Sequence, residues 1–153
     1  MAIIELQGSA SDAVIVDDLD ECLVRQHRWY KDNHGYACTN SNGKNLRLHA
    51  LLLPKKEDFV RDHINGNKLD NRRANLRYAT PLENAQNASK RKDNTSGFKG
   101  VYWNKQYSKW KVQIRHEGKR KHLGRFEDVI AAAKAYDDAA KSFFGKFARV
   151  NFN

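Results

Sequence analysis

With two cysteines and two prolines in 153 residues, this chain has little covalent or conformational bracing. Cys22 and Cys38 do not form a Cys-x-x-Cys pair, which argues against a structural zinc site, and their number favours two reduced thiols over a disulfide framework. No hydrophobic run is long enough to span a bilayer, and residues 1–6 are too short and lack the basic start of a signal peptide. A cytoplasmic protein with no membrane partner is the expectation. No internal repeat is apparent. Acidic residues are also scarce, with 18 Asp and Glu against 28 Lys and Arg and a formal net charge of +10. The excess is uneven. Residues 1–50 hold five Lys and Arg against seven Asp and Glu, leaving that third about −2 and the remainder about +12. Such asymmetry points to a polyanionic partner, most economically nucleic acid, because no long amphipathic helix carries the charge to a membrane. At 40% hydrophobic and 30% charged, the chain can bury only modest cores.

The first third reads as short strands. Residues 3–6, 13–16 and 36–39 are apolar or β-branched and are separated by turns at Gly8 and Ser9 and at Asn33, His34 and Gly35, while residues 17–29 are more helix-like. Asn42 and Gly43 are a hairpin signal that would pair the 36–40 strand with a strand over 45–53. Further on, Thr80, Pro81, Leu82 and Glu83 supply a capping threonine, proline at the first helical position and glutamate at the third, so a helix should begin at Pro81. Asn84 then lies in its first turn, with Asn87 one turn on and on the same side. Asn87 and Gln86 read as a solvated helix face. Residues 89–96 form a basic linker ahead of a second module over 97–153, and residues 1–88 form the first.

Between these landmarks lies the most informative stretch, residues 62–76. Breaking a phosphodiester needs a positioned water, a group to take its proton and positive charge where negative charge builds on the leaving oxygen. His63 is an imidazole able to take that proton near neutral pH, and Asp62 beside it offers a hard carboxylate oxygen. Asp62 and Asn84 together can hold one divalent ion, Mg²⁺ by preference with Mn²⁺ as the alternative, leaving coordination positions for phosphate and water. A base works only if its proton sits on the far nitrogen, and Asn75 is the amide chosen to fix that tautomer. Arg72 and Arg73 are expected to contact phosphate.

Asp62, His63, Asn75 and Asn84, in that order, resemble the HNH nucleases, specifically the phage-type homing endonucleases. The resemblance covers about residues 48–87. It implies a ββα-metal core in which His63 is the general base, Asn75 orients it, and Asp62 with Asn84 binds the metal; the family's cleavage leaves 5′-phosphate and 3′-hydroxyl ends. The third motif letter is Asn rather than His, which leaves Asn87 as the alternative ligand. His49 falls where family members carry a His-Arg-Leu pattern, with Ala50 in place of the arginine, and is read as structural.

From Gly97 the pattern changes to three alternating strands, over 100–104, 109–116 and 119–126, with Glu117 and Gly118 as a two-residue turn. Lys109, Lys111, Gln113 and Arg115 alternate with Trp110, Val112 and Ile114, so one face packs and the other is free. A helix over 128–144, with apolar residues at helical spacing and Gly145 as its stop, would back the sheet. The motifs Gly100-Val101-Tyr102, Trp110-Lys111-Val112-Gln113-Ile114-Arg115, Leu123-Gly124-Arg125-Phe126 and Ala135-Tyr136-Asp137 resemble the DNA-binding domain of plant ethylene-response factors. That resemblance implies a sheet docked in the major groove. By position, its contacting face would be Lys99, Tyr102, Asn104, Gln113, Arg115, Arg120 and His122. Arg115 and Arg120 are the candidates for guanine, and Lys99, Lys111 and Lys121 for phosphate. Trp110, Phe126, Tyr136 and Phe152 are read as core.

The expectation is therefore an α+β chain: a strand-rich platform leading into a ββα-metal HNH core, then a three-stranded antiparallel sheet packed on one helix. Its function would be site-recognising, metal-dependent cleavage of double-stranded DNA as a monomer, with no small-molecule substrate, in a bacterial or phage-infected cell. The rivals are a DNA-binding regulator without cleavage and a basic RNA-binding protein.

Overall fold

The computed structural model describes residues 1–8, 11–41 and 43–152, so Ser9 of the first turn signal and Asn42 of the hairpin signal lie outside the described residues. The chain forms two compact units, Met1–Asn84 and Ala85–Asn153. Among the described residues, no helix is long and apolar enough to cross a membrane.

In the first unit, β1 (Ala2–Glu5) and β2 (Ala13–Val16) pair antiparallel, and α1 (Asp18–Arg25) follows. A second small sheet is made by β3 (Tyr30–Lys31), β4 (Ala37–Ser41) and β5 (Lys44–Arg47). The strand expected over 45–53 ends early: at Leu48 the chain turns into the short helix α2 (Leu48–Leu52). Helical spacing lets Leu48, His49 and Leu52 all be buried, whereas strand alternation would have sent one of that group outward. The core gathers Ile4, Leu6, Val14, Val16, Val24, Trp29, Ala37, Leu48, Leu52 and Leu76. Trp29 is almost wholly buried, and its indole N–H donates to the Val24 carbonyl at 2.8 Å, so its polar end is satisfied.

The stretch singled out by the sequence forms a hairpin and then a helix. β6 (Val60–His63) pairs antiparallel with β7 (Leu76–Ala79), placing Asp62 opposite Arg77 and His63 opposite Leu76. A short 3₁₀ turn, Arg73–Asn75, leads into β7, and α3 (Pro81–Gln86) follows it. The start of α3 is the expected capping box: Thr80 Oγ1 accepts from the Glu83 backbone N–H at 3.2 Å, and Glu83 Oε2 accepts from the Thr80 N–H at 2.7 Å.

The loop joining β6 to β7 is stitched to the platform. Ile15 donates to the Leu69 carbonyl at 2.9 Å, and Asn71 donates to the Ile15 carbonyl at 2.7 Å. Arg73 grips Asp20 with Nε at 2.8 Å and Nη2 at 2.7 Å, and its backbone N–H meets Asp17 at 2.7 Å.

In the second unit, β8 (Val101–Asn104), β9 (Lys109–His116) and β10 (Lys119–Phe126) form an antiparallel sheet with β9 in the centre. The helix α4 (Val129–Phe144) is capped by Asp128, whose carboxylate accepts from the Ala131 N–H at 2.7 Å. Val112 and Ile114 pack with Ala132, Ala133, Tyr136, Ala140 and Phe144 of α4. Of the aromatic residues read as core, Tyr136 is buried and Trp110 and Phe126 are half-buried, but Phe152 is exposed, its ring tilted at 43° to that of Phe98 with centroids 5.4 Å apart. Asp137 ties the end of the chain down by accepting from the backbone N–H groups of Asn151 and Phe152 at 2.7 and 2.9 Å.

Candidate active site

Asp62 and His63 are both almost fully buried at the end of β6. Burial holds the His63 imidazole below its usual range, against the upward pull of a hydrogen bond to Asn71 and of the Asp62 and Asp70 charges. His63 is thus neutral at neutral pH, the state a proton acceptor needs. Its Nε2 lies 3.2 Å from Asn71 Oδ1. The ring packs edge-on against His49 with centroids 5.3 Å apart, and His49 meets Tyr36 in the same way at 5.1 Å.

Asn75 was expected to orient the base, and here the structure differs. Its Oδ1 accepts from the Asn65 N–H at 3.0 Å, and its Nδ2 donates to Asn65 Oδ1 at 3.0 Å and to the Asp70 carbonyl at 2.7 Å. Both ends of the amide are engaged in closing the 65–70 loop, and the amide oxygen within hydrogen-bond distance of His63 Nε2 is that of Asn71. An Asp-Asn pair in a turn is ordinary loop chemistry, so nothing local in the sequence marks Asn71. Its near-complete burial, 1% exposed, is what sets it apart.

Asp62 Oδ2 accepts from Arg77 Nε at 2.8 Å and from Nη2 at 2.7 Å, an arrangement set by the β6–β7 register. Asn84 is exposed in the first turn of α3, and its side chain bonds to no described residue. Asn87, expected on a solvated face, is buried instead. Among the described residues no three His, Cys, Asp or Glu side chains cluster as a metal site. The donors Asp62 and Asn84 are nonetheless hard oxygens, one carboxylate and one amide, a set that suits a hard divalent cation keeping most of its coordination for water and phosphate.

Two expected phosphate contacts are otherwise occupied. Arg72 is paired through Nε and Nη2 with Asp70 at 2.8 and 2.6 Å, and Arg73 is committed to Asp20, so both guanidinium forks are filled by carboxylates that lock the loop. Lys99 likewise has a partner within the protein. Its Nζ donates to the Gln86 carbonyl at 2.7 Å, and burial together with the nearby Arg149 charge lowers its pKa to about 8, so it anchors backbone within its own unit.

The remaining residues of the predicted nucleic-acid face share one side of the second sheet, opposite α4. The register sets Tyr102 against Lys111, Gln113 against His122 and Arg115 against Arg120, with Asn104 against Lys109 two pairs beyond Tyr102. Tyr102, Arg115, Arg120 and His122 are exposed, and Asn104, Lys111 and Gln113 half-buried. Strict alternation hid one more member. A bulge between His122 and Gly124 shifts the register, so that Arg125 falls opposite Lys111, with its guanidinium 4.1 Å from the Tyr107 ring centroid. The glycine inside an otherwise regular strand was the available signal.

His49 makes this region acid-sensitive. Burial, aided by the His63 charge, lowers its pKa from 6.5 to about 4. Below pH 6.5 the unfolded chain takes up a proton that the folded chain refuses, so stability falls as the pH drops from 6.5 towards 4, by roughly 3 kcal/mol in all. Denaturant unfolding at pH 7 and pH 4.5 should show this loss, and His49→Phe should remove the His49 share of it.

A family model described as HNH endonuclease matches residues 53–86. Protein 3.8 of Escherichia phage T7 is 36% identical over 96 residues, covering 63% of this chain and 78% of that protein. An uncharacterized HNH endonuclease of Acanthamoeba polyphaga mimivirus is 32% identical over 135 residues, 84% of this chain and 69% of the viral one. Dehydration-responsive element-binding protein 2A of Oryza sativa subsp. indica is 46% identical over 48 residues, 30% of this chain and 18% of that plant protein. No solved structure matches.

Proposed function

Since the chain belongs to the HNH endonuclease family and is a nuclease that hydrolyses phosphodiester bonds, we propose that it is a divalent-metal-dependent endonuclease of the homing type, acting on double-stranded DNA. The observation that carries this reading is a buried, neutral His63 next to the Asp62 carboxylate on a hairpin that runs straight into a capped helix. Those three elements are the ββα core of the proposal.

In the reaction, His63 takes a proton from a water as its oxygen attacks phosphorus in line with the bond to the 3′ oxygen. The new P–O bond forms as the P–O3′ bond breaks, and the departing oxygen takes a proton from solvent, leaving 5′-phosphate and 3′-hydroxyl ends. Asp62 and Asn84 would hold the ion. When bound, it supplies positive charge where negative charge accumulates at the leaving oxygen. Arg77 keeps the Asp62 carboxylate in place by two hydrogen bonds on one oxygen. Asn75 closes the loop beneath the site.

The sheet face of Tyr102, Asn104, Lys111, Gln113, Arg115, Arg120, His122 and Arg125 is the proposed DNA-docking surface. The arginines are suited to bidentate contact with guanine, each worth about 1–3 kcal/mol of discrimination, and Lys111 to phosphate. Supercoiled plasmid incubated with the protein in Mg²⁺ or in EDTA tests both halves. Cutting should need Mg²⁺, fall by about 100-fold in Asn84→Ala and lose affinity rather than turnover in Arg120→Ala. Equal cutting in EDTA would overturn the metal dependence, and equal cutting by Asn84→Ala would overturn that ligand. An intact protein that binds duplex without ever cutting it would favour the regulator.

A further inference from the structure

We propose that Asn71 is the positioning residue of the base: it fixes His63 as the tautomer protonated on Nε2, so that Nδ1 is the nitrogen that receives the proton from water. The inference rests on the reading of His63 as the base, and it follows from how Asn71 is held.

Asn71 is anchored at three points. Its backbone N–H donates to the Ile15 carbonyl at 2.7 Å, its Nδ2 donates to the Lys68 carbonyl at 3.3 Å, and its Oδ1 lies 3.2 Å from His63 Nε2. A backbone carbonyl can only accept, so the NH₂ end of the amide has to face Lys68. The oxygen end therefore faces the imidazole. An amide oxygen can also only accept, so Nε2 must carry the hydrogen. A neutral imidazole has one ring hydrogen, which leaves the lone pair on Nδ1. One hydrogen bond to a carbonyl of the main chain thus propagates through a buried amide to decide which nitrogen does the chemistry.

The ring is also kept from turning over. His49 stands nearly perpendicular to His63, at 78° with centroids 5.3 Å apart, and Tyr36 flanks both, 6.0 Å from His63 and 5.1 Å from His49. A 180° flip of the His63 ring would have to pass these neighbours and would set a C–H against Asn71 Oδ1. Asn75 acts one step further back. Its bonds to Asn65 and to the Asp70 carbonyl close the loop that carries Asn71 but do not touch the imidazole.

The deciding experiment is a long-range ¹H–¹⁵N correlation of the histidine rings in the full ¹⁵N-labelled chain at a pH where His63 is neutral, with His63→Gln used to assign the signal. The wild-type spectrum should show the Nε2–H tautomer alone, and a predominant Nδ1–H tautomer would overturn the inference without any variant having to fold. In Asn71→Leu the signal should move to a mixture of tautomers, and turnover should fall by about 10- to 100-fold with little change in KM for DNA. Asn71→Asp keeps an acceptor and should retain the wild-type tautomer and much of the turnover. Asn75→Ala should lower the melting temperature while leaving the tautomer as it is. If Asn71→Leu folds and keeps both the wild-type tautomer and the wild-type rate, Asn71 does not position the ring even though His63 remains the base. If His63→Ala instead cuts as well as wild type, the base assignment fails, a result independent of the tautomer spectrum.

Discussion

Gly100→Ala should unfold the second unit or leave it with no cooperative transition. Gly100 sits at φ +78°, just before β8, with the Tyr136 ring of α4 lying directly on its backbone. A Cβ added there would stand 2.0 and 2.3 Å from Cδ2 and Cε2 of Tyr136 and 2.9 Å from the Gln113 carbonyl oxygen. The carbonyl belongs to the central strand, and the ring is buried in the core between sheet and helix, so neither can retreat cheaply. Left-handed strain on an alanine costs about 1–2 kcal/mol and overpacking typically 1–3 kcal/mol more. A loss of about 4 kcal/mol would consume most of the stability of a unit this small. Duplex affinity should go with it, since the sheet bearing Arg115 and Arg120 is assembled on that helix. Gly118→Ala is the control: at φ +74° it has the same kind of strain, but nothing lies within 4 Å of the added carbon, so it should cost only about 1 kcal/mol. Thermal unfolding of both variants, followed by near-ultraviolet circular dichroism, checks the contrast. Equal stability of the two would show that Tyr136 does not press on residue 100.

The second large effect belongs to the nuclease unit. His63→Ala should lower the cleavage rate by about 10²- to 10⁴-fold, the usual worth of a positioned general base, while KM for DNA stays within a factor of a few. Removing the ring also strands Asn71 Oδ1 in a buried site, a cost of about 1–3 kcal/mol that should appear in the melting temperature. Added imidazole should restore part of the rate, because a small base can occupy the vacated volume and take the same proton. Rescue by imidazole separates a lost base from a damaged fold: a variant with depressed activity, unchanged stability and no response to imidazole would point to another group as the proton acceptor.

Much of this architecture was written in local patterns. Alternation over residues 109–116, the Glu117-Gly118 turn and the helical spacing that ends at Gly145 each depend on near neighbours only, and the structure has those elements where the pattern put them. The Thr80-to-Glu83 box likewise marks the start of α3 without help from the rest of the chain. Failures came where a pattern had two readings or a long-range partner decided. Leu48, His49, Leu51 and Leu52 suit a buried strand or a buried helix equally well, and packing against the platform chose the helix. Arg72, Arg73 and Lys99 carry the charge expected of phosphate ligands, but Asp70, Asp20 and the Gln86 carbonyl claim them.

By itself the sequence determined the nuclease-like stretch, the residue types able to run phosphodiester hydrolysis, and the basic excess of residues 51–153, because composition, motif order and short-range periodicity are properties of the chain alone. Only the tertiary structure decided that Asn71 rather than Asn75 meets the imidazole, that Arg77 holds Asp62, and that Arg125 joins the sheet face. A hydrogen bond depends on which end of a side chain arrives within about 3 Å of its partner. That arrival is fixed by strand register, by one bulge and by a loop tied to a distant strand.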